Sequence, residues 1–406
     1  MKTLIIGGGP AGMIAAVSAA DSGDEVVLLE KNEKLGKKLF ITGKGRCNVT
    51  NACEREKFFE NIPQNSKFLY SAFSKFDNND LMNFIEGLGT PLKIERGERV
   101  FPQSDHSSDI IKALKEGLSL RNVEVRLNTS VKKINANDER VLGITLDNGE
   151  VVTGDKVIVC TGGLSYKSTG CTGDGLNWAS KLGHRIEPLV PSLVPLTTKD
   201  EWVYELQGLS LKNIKLSLFV DGKNKYEEMG EMLFTHFGIS GPLSLTASSI
   251  LAHQRDYKEV YVCIDNKPAL SEDEFDKRLI RELNDGNNKE IKNIMKNIYP
   301  LKMAGMICEL AKVDPYKKCN EVTKEDRQAL IKVTKKMKIT ISGTRDFDEA
   351  IITKGGVSLK DVDPRTMESK RIKGLFFAGE VLDLDAFTGG FNLQIAFSTG
   401  YAAGDR

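Results

Sequence analysis

The chain has 406 residues, 40% of them hydrophobic, long enough for two or three domains with ordinary buried cores. Its 57 basic and 56 acidic side chains leave a net charge of +1, which gives no reason to expect nucleic acid or an anionic membrane surface as a partner. No apolar run approaches the roughly 20 residues that span a bilayer, no signal-peptide pattern opens the chain, seven scattered cysteines fit a reducing cytoplasm, and four separated histidines predict no metal site.

The first element is a strand, Lys2 to Ile6, that runs into Gly7-Gly8-Gly9-Pro10-Ala11-Gly12. A strand that must turn at once into a helix, with glycines where the backbone has to approach a pyrophosphate, is the pattern of a dinucleotide-binding turn. The helix from Ala11 to Ala20 is built of small residues and stops at Ser22-Gly23. A second strand, Glu25 to Leu29, ends at Glu30, about 20 residues beyond the glycines, where a carboxylate can accept hydrogen bonds from an adenosine ribose. A 2′-phosphate would be repelled there, so the dinucleotide expected at this turn is not NADP.

A basic, glycine-punctuated stretch follows from Lys31 to Asn51, then amphipathic segments around Phe68 to Phe76 and Asn79 to Leu88. Ser107, Ser108 and Asp109 read as a helix cap before Ile110, Ile111, Leu114 and Leu118. Strand-like pieces at Val123 to Arg126, Val131 to Ile134, Val141 to Leu146 and Val151-Val152, with a turn at Asp147-Asn148-Gly149, suggest a small antiparallel excursion. It leads into a buried strand, Lys156 to Cys160, and the turn Thr161-Gly162-Gly163.

Prolines recur at Pro188, Pro191 and Pro195, and the βαβ rhythm lapses there. The pattern from about 192 to 265 alternates as in a small β-barrel or sandwich. From about 270 to 335 it is lysine-rich and helical, with Phe275, Leu279, Ile280 and Leu283 on one face. The βα pattern resumes at Thr340 and closes with Gly374 to Val381, a strand ending in Gly379-Glu380, then Gly389-Gly390-Phe391-Asn392 and a small-residue helix to Gly404. The expected fold is α/β, a Rossmann-like dinucleotide-binding domain made of 1–190 and 341–406. The expected insert is 191–340, barrel-like over 191–268 and helical over 269–335.

Four stretches carry a family likeness: Gly7 to Gly12; Thr42-Gly43-Lys44-Gly45-Arg46-Cys47-Asn48-Val49-Thr50-Asn51; Gly230 to Pro242, with Phe234-Thr235-His236-Phe237-Gly238; and Gly379 to Asp383 with Thr388 to Asn392. Together they resemble the YhiN/BaiN-type flavoproteins, a family of the two-dinucleotide-binding, glutathione-reductase-type superfamily, over nearly the whole chain. The resemblance implies noncovalently bound FAD in a glutathione-reductase-type fold, with the strand ending Gly379-Glu380 on the ribityl and pyrophosphate portion. The cofactor-binding set expected on this basis is Gly7, Gly9, Pro10, Ala11, Gly12, Glu30, Lys31, Lys38, Thr42, Gly43, Arg46, Cys47, Asn48, Val131, Thr161, Gly162, Gly379, Glu380, Gly390, Phe391, Asn392 and Leu393.

Physical reading adds roles to some of these. The glycines of Thr42 to Asn51 allow backbone to lie flat against an isoalloxazine ring, with Arg46 and Asn48 supplying hydrogen bonds. Gly389-Gly390 opens a helix whose N–H groups and dipole suit the flavin N1/C2 edge, where reduction accumulates negative charge. Thr161 to Gly163 followed by Thr172-Gly173-Asp174-Gly175 is similar to a segment of fumarate-reductase-type and ketosteroid-dehydrogenase-type flavoproteins, which suggests hydride transfer at a carbon–carbon bond. His236 is the candidate proton donor or acceptor in that transfer, and Arg99 the candidate ligand for a substrate carbonyl or carboxylate. Cys47 and Cys53 are spaced C-x5-C rather than the C-x4-C of a redox dithiol, so Cys47 reads as a small packed residue beside the flavin.

The function expected is an FAD-dependent oxidoreductase that transfers hydride to or from a small organic substrate, reduction of an enone-like C=C bond being the class implied by BaiN-type relatives. NAD(P)H binding transiently would supply electrons. Alternatives are a flavin-dependent RNA-modifying enzyme and a non-catalytic redox sensor; the oligomeric state is left open.

Overall fold

A computed structural model describes residues 1–405, which divide into two compact units. The first comprises Met1–Ser192 together with the chain from Phe347 onward, and the second is Leu193–Asp346.

The first unit is built outward from β1 (Lys2–Ile6), four of whose five residues are buried. A strand apolar on both faces can lie only inside a sheet covered on both sides. It leads to α1 (Pro10–Asp21), whose proline occupies the first turn, where an N–H would go unbonded anyway. Then come β2 (Glu25–Leu29), α2 (Lys37–Ile41), β3 (Thr50–Asn51), α3 (Arg55–Glu60), α4 (Tyr70–Lys75) and α5 (Asn78–Gly87). These are followed by β4 (Leu92–Glu95), β5 (Arg99–Pro102), α6 (Ser107–Ser119) and β6 (Glu124–Arg126). An antiparallel meander of β7 (Val131–Ala136), β8 (Val141–Leu146) and β9 (Val151–Thr153) precedes β10 (Lys156–Val159), α7 (Asp174–Lys181) and β11 (Ile186–Ser192).

Two sequence expectations fail in this region. Glu124–Arg126 does not join the antiparallel meander; β6 pairs in parallel with β2 and forms an edge of the main sheet. Ser107 to Asp109 do not cap α6, because His106 holds the cap position without a side-chain bond and the Ser107 hydroxyl donates instead to the carbonyl of Phe40 (2.7 Å).

The second unit contains β12 (Leu196–Thr198), α8 (Trp202–Glu205), β13 (Ser210–Val220), β14 (Lys223–Phe234), β15 (Gly238–Ser240), α9 (Pro242–Ala252) and β16 (Val260–Asp265). Four helices follow, α10 (Glu272–Asp285), α11 (Ile291–Met295), α12 (Leu301–Leu310) and α13 (Lys324–Lys335), and then β17 (Met337–Thr344). Six strands close a barrel in the order β12-β15-β14-β13-β16-β17. The last strand corrects the expected return to the βα pattern at Thr340: β17 pairs with β16 and β12 and completes the barrel, so residues 337–346 stay with this unit. On α10 the buried stripe is Phe275, Leu279 and Leu283; Ile280, expected with them, is 38% exposed, since it lies one residue off the i, i+4 line.

The chain re-enters the first unit with β18 (Ile352–Val357), β19 (Leu375–Phe377) and α14 (Phe391–Gly404). β19 completes a five-stranded parallel sheet of order β19-β10-β1-β2-β6. On this sheet α14 lies against α1 at backbone distance: a Cβ on Gly400 would come within 2.3 Å of the Ala11 carbonyl oxygen, and one on Gly404 within 2.3 Å of that of Ala15.

His184, 3% exposed, is held inside this unit between the carbonyl of Ala179 (Nδ1, 3.1 Å) and the Ser369 hydroxyl (Nε2, 2.7 Å). A carbonyl can only accept, so Nδ1 carries a proton. Burial pushes its pKa below the ordinary imidazole value, against the opposing effect of the Ala179 bond.

Two stability predictions follow from this packing. Gly400→Ala should lower the unfolding free energy by about 1–3 kcal/mol, since the two helices would have to separate. Gly87→Ala, where a Cβ would meet nothing within 4 Å, should leave it unchanged or raise it by up to about 1 kcal/mol; urea titrations of both variants check the pair. His184 stabilises the fold fully above the ordinary histidine pKa of about 6.5 and loses that contribution as pH falls through its depressed folded value. The urea midpoint should therefore drop more steeply on acidification in the wild type than in His184→Gln.

Candidate active site

The turn after β1 is set by two close approaches. Gly7 donates its N–H to the Leu29 carbonyl (2.8 Å), and a Cβ on Gly12 would lie 1.9 Å from the Gly7 carbonyl oxygen, so only glycine lets α1 start this near the sheet. The first helical bond of α1 is Met13 N–H to the Gly9 carbonyl (2.9 Å), leaving the N–H groups of Ala11 and Gly12 ahead of the hydrogen-bonded ladder. A Cβ on Gly9 would meet no atom within 4 Å, so the mouth of this helix end is open. An open, positively polarised helix N-terminus suits a pyrophosphate.

Glu30, 8% exposed, closes the turn from beside it. Its carboxylate accepts from the backbone N–H of Gly8 (2.7 Å), from that of Asn32 (2.8 Å) and from the Asn32 side-chain amide (2.7 Å). The residue expected to meet a ribose thus also fixes the shape of the phosphate turn. Its neighbour Lys31 is turned to Asp174 (2.8 Å) and Thr172 (2.6 Å), tying the end of β2 to the start of α7.

Residues 36–51 bring three further groups to this unit. Lys38 forms an ion pair with Glu380 (2.7 Å), and the other Glu380 oxygen accepts from the Thr353 N–H (2.9 Å). Burial opposes the ammonium of Lys38, but the groups around it, the Glu380 carboxylate foremost, together hold its pKa above the ordinary lysine value. Thr42 donates to the Leu39 carbonyl at the end of α2 (2.7 Å), and Gly43, Lys44 and Gly45 follow in left-handed conformation. Arg46 departs from the role of flavin hydrogen-bond donor: its guanidinium donates to Asp105 (2.7 Å), pairs with Glu95 and lies 4.2 Å from the Phe101 ring, so it anchors the loop. Asn48 keeps a free group, since its Oδ1 is buried with no hydrogen-bond partner among the described residues. Thr161, after β10, has a buried Oγ1 in the same condition. Two orphaned polar atoms in one unit, at positions expected to touch a cofactor, fit a bound group that would satisfy them.

The C-terminal segment adds a second helix N-terminus. Gly379 donates to the Thr399 hydroxyl on α14 (2.9 Å). Gly390, at φ +101°, precedes Phe391; a Cβ on it would sit 2.3 Å from the Thr50 carbonyl oxygen. The first α14 bond is Gln394 N–H to the Gly390 carbonyl (3.1 Å), so the N–H groups of Phe391, Asn392 and Leu393 lie in the free first turn. The side chains there serve the fold: the Phe391 ring packs on Phe58 (5.3 Å), and the Asn392 amide bonds the backbone of Ala386 (2.8 and 2.7 Å). Val131, half-buried, opens β7.

The residues expected to act on substrate lie in different units. Arg99 is exposed on β5 of the first, donating to the Arg96 carbonyl (3.0 Å). His236 is exposed in the β14–β15 loop of the second, its ring 4.9 Å from that of Phe237, over which the Arg345 guanidinium also lies (4.7 Å). Cys47 and Cys53 are free and buried; burial pushes their thiols up to about 12 and about 11, far from a reactive thiolate. Sequence reading missed the pairs Ser165–Thr353 (2.9 Å) and Thr50–Gln394 (2.7 Å), which hold the expected segments together, and Arg345 over the Phe237 ring. Among the described residues no helix is long and apolar enough to cross a membrane.

The family model described as the HI0933-like protein Rossmann domain matches residues 1–406. The chain belongs to this family. It is thereby an FAD-dependent oxidoreductase with a Rossmann-type domain, as the sequence resemblance implies. A 3-dehydro-bile acid delta(4,6)-reductase of Clostridium scindens is 32% identical over 98% of this chain and 97% of its own. A ribosomal RNA dihydrouridine synthase of Escherichia coli is 30% identical over 98% of this chain and 96% of its own. In fold it is similar to the 3-ketosteroid delta1-dehydrogenase of Sterolibacterium denitrificans (TM-score 0.50, 14% identity, 99% of this chain and 98% of that one).

Lys38→Met would leave the Glu380 carboxylate without its cation. An unpaired acceptor at such a site costs about 1–3 kcal/mol, so FAD affinity, read by flavin fluorescence on dilution, should fall about tenfold, with Lys38→Arg recovering part of it.

Proposed function

We propose that this protein reduces a carbon–carbon double bond conjugated to a carbonyl, using FAD held noncovalently by its first unit. The observation that carries the reading is chemical. Two full-length relatives are named for acting on unlike molecules, a 3-dehydro-bile acid reduced at delta(4,6) and uridine of ribosomal RNA converted to dihydrouridine, yet each conversion is saturation of a double bond conjugated to a carbonyl.

When bound and reduced, FAD supplies the hydride for that addition. The chain's own residues would do the rest. The turn at Gly7 to Gly12 and the free N–H groups of α1 hold the pyrophosphate, with Glu30 at the ribose. Asn48 Oδ1 and Thr161 Oγ1 accept hydrogen bonds from the cofactor, and Lys38 keeps Glu380 charged and aimed. The first turn of α14 faces the ring edge that gains negative charge. Arg99 binds the substrate carbonyl, and His236 delivers the proton that completes the saturated product. NAD(P)H is the proposed electron donor, and the reducing cytoplasm, consistent with seven free cysteines, the proposed compartment.

The test is anaerobic stopped-flow of the purified protein. NADH or NADPH should bleach the flavin band near roughly 450 nm, and a cyclic enone or uridine-containing RNA should restore it with formation of the saturated product. Reoxidation by oxygen or quinones alone, with every conjugated acceptor inert, would overturn the proposal. His236→Ala should slow the reoxidative half-reaction by about 10²-fold or more and leave flavin reduction unchanged.

A further inference from the structure

The second unit repeats the device that opens the first. β15 ends at Ser240, Gly241 holds the cap position of α9 without a side-chain bond, and Pro242 stands in the first helical turn. α1 likewise follows a strand, with Gly9 at its cap and Pro10 in its first turn, and neither first turn carries an acidic side chain. Gly241 stands at φ +90°, and a Cβ there would lie 3.2 Å from the Leu233 nitrogen and from the Met232 Cα, so glycine lets α9 start against the backbone of β14. The first helical bond runs from the Leu245 N–H to the Gly241 carbonyl (2.9 Å), which leaves the N–H groups of Leu243 and Ser244 ahead of the ladder. Pro242 is exposed and Gly241 half-buried, so solvent reaches the mouth of the helix.

A second, independent observation marks this helix start. Ser244 is 0% exposed, and its hydroxyl has no hydrogen-bond partner among the described residues. Side chains on a helix lean toward its N-terminus, so from the third position of α9 this hydroxyl points over the first turn, where the free N–H groups are. A serine within a helix can instead bond back to a carbonyl of the preceding turn. Ser248, one turn on, does so: it donates to the Leu245 carbonyl (2.7 Å) and accepts from the Val194 N–H (2.9 Å). Ser249 Oγ, also unpartnered, lies beyond the first turn. Two free N–H groups, an unsatisfied hydroxyl and a positive dipole end together suit oxygen atoms that carry negative charge.

We propose that the start of α9 binds the pyrophosphate of a nicotinamide dinucleotide, the electron donor of the reaction. Pyrophosphate is the group that a glycine turn and a helix N-terminus of this build receive. In the proposed reading α1 is taken by the pyrophosphate of FAD, and the sequence has no second G-x-G-x-x-G turn to serve the donor. The inference rests on that reading, in which NAD(P)H supplies the electrons, and gives the donor a site of its own on the second unit.

The test uses the FAD-loaded protein in anaerobic stopped flow with NADH, NADPH and N-benzyl-dihydronicotinamide, which offers the same hydride and has no pyrophosphate. ADP-ribose, which has the pyrophosphate and no nicotinamide, is titrated by calorimetry. In Ser244→Ala the NADH or NADPH concentration that half-saturates flavin bleaching and the Kd of ADP-ribose should each rise about tenfold, as expected for one lost hydrogen bond to a charged group. Pro242→Asp puts a carboxylate at the helix mouth, where it favours the helix and repels an anion. It should raise both quantities about tenfold or more and keep the urea midpoint close to that of the wild type. In each variant the efficiency of NADH relative to the benzyl donor should fall by the same factor. Absence of ADP-ribose binding by the wild type, or unchanged half-saturation and affinity in both variants, would overturn the proposal. So would equal losses with the donor that lacks a pyrophosphate. A wild type that NADH reduces through Ser244 but that no cyclic enone reoxidises would support this site and sink the reductase reading alone.

Discussion

The backbone contact between α1 and α14 is the constraint on which the first unit depends. A glycine on one helix sits over a carbonyl oxygen of the other at two successive turns, Gly400 over Ala11 and Gly404 over Ala15. Contact this close is possible only when both faces are stripped of side chains, and the small-residue runs of α1 and α14 meet that condition together. Its effect is to lock the chain's beginning and end into one body, so that the free N–H groups at the starts of both helices are carried by the same rigid pair. Neither helix has a polar and an apolar face in the usual sense, because each is buried almost all round.

Polar connections then set the site to finer tolerance. Lys38 and Glu380 are separated by 342 residues in the chain yet lie 2.7 Å apart. Asn51 donates to the Gly389 carbonyl (3.0 Å), and Thr50 donates to Gln394 (2.7 Å). Each of these bonds joins the segment after β2 to the C-terminal segment, so the loop at 42–51 and the start of α14 are positioned by each other. Within that frame the orphaned Asn48 Oδ1 and Thr161 Oγ1 stand out, since no other buried side-chain oxygen or nitrogen of this unit lacks a partner among the described residues. A rigid, otherwise saturated network with unsatisfied acceptors or donors at chosen points is what preorganised cofactor binding requires.

The glycine turn, the acid at Glu30 and the Gly389-Gly390 helix start were legible in the chain because each is a local pattern: a few residues whose backbone geometry dictates their type. What stayed hidden was pairing over long separations. Nothing local shows that Arg46 would be engaged by Glu95 and Asp105, or that Glu30 would hold the Gly8 N–H. The assignment of Glu124–Arg126 failed for a related reason: three alternating residues, largely exposed, pair equally well in either direction, and only the neighbouring β2 decides. The barrel strand Met337–Thr344 resembles a βα strand locally, and its allegiance is set by β12 and β16.

The same distinction bears on how one scaffold can serve unlike acceptors. Positions that build the proposed cradle are fixed by close backbone approach: at Gly12, Gly390, Gly400 and Gly404 an added methyl group would collide with a carbonyl oxygen. Such positions cannot be altered without displacing an element. The residues proposed to meet substrate are of another kind. His236 and Arg99 are exposed, and neither side chain supports the core. Substitution there changes charge and shape at little cost in stability. Exposed positions around the cradle can therefore be exchanged without displacing an element that builds it, whereas the glycines at the helix crossings cannot.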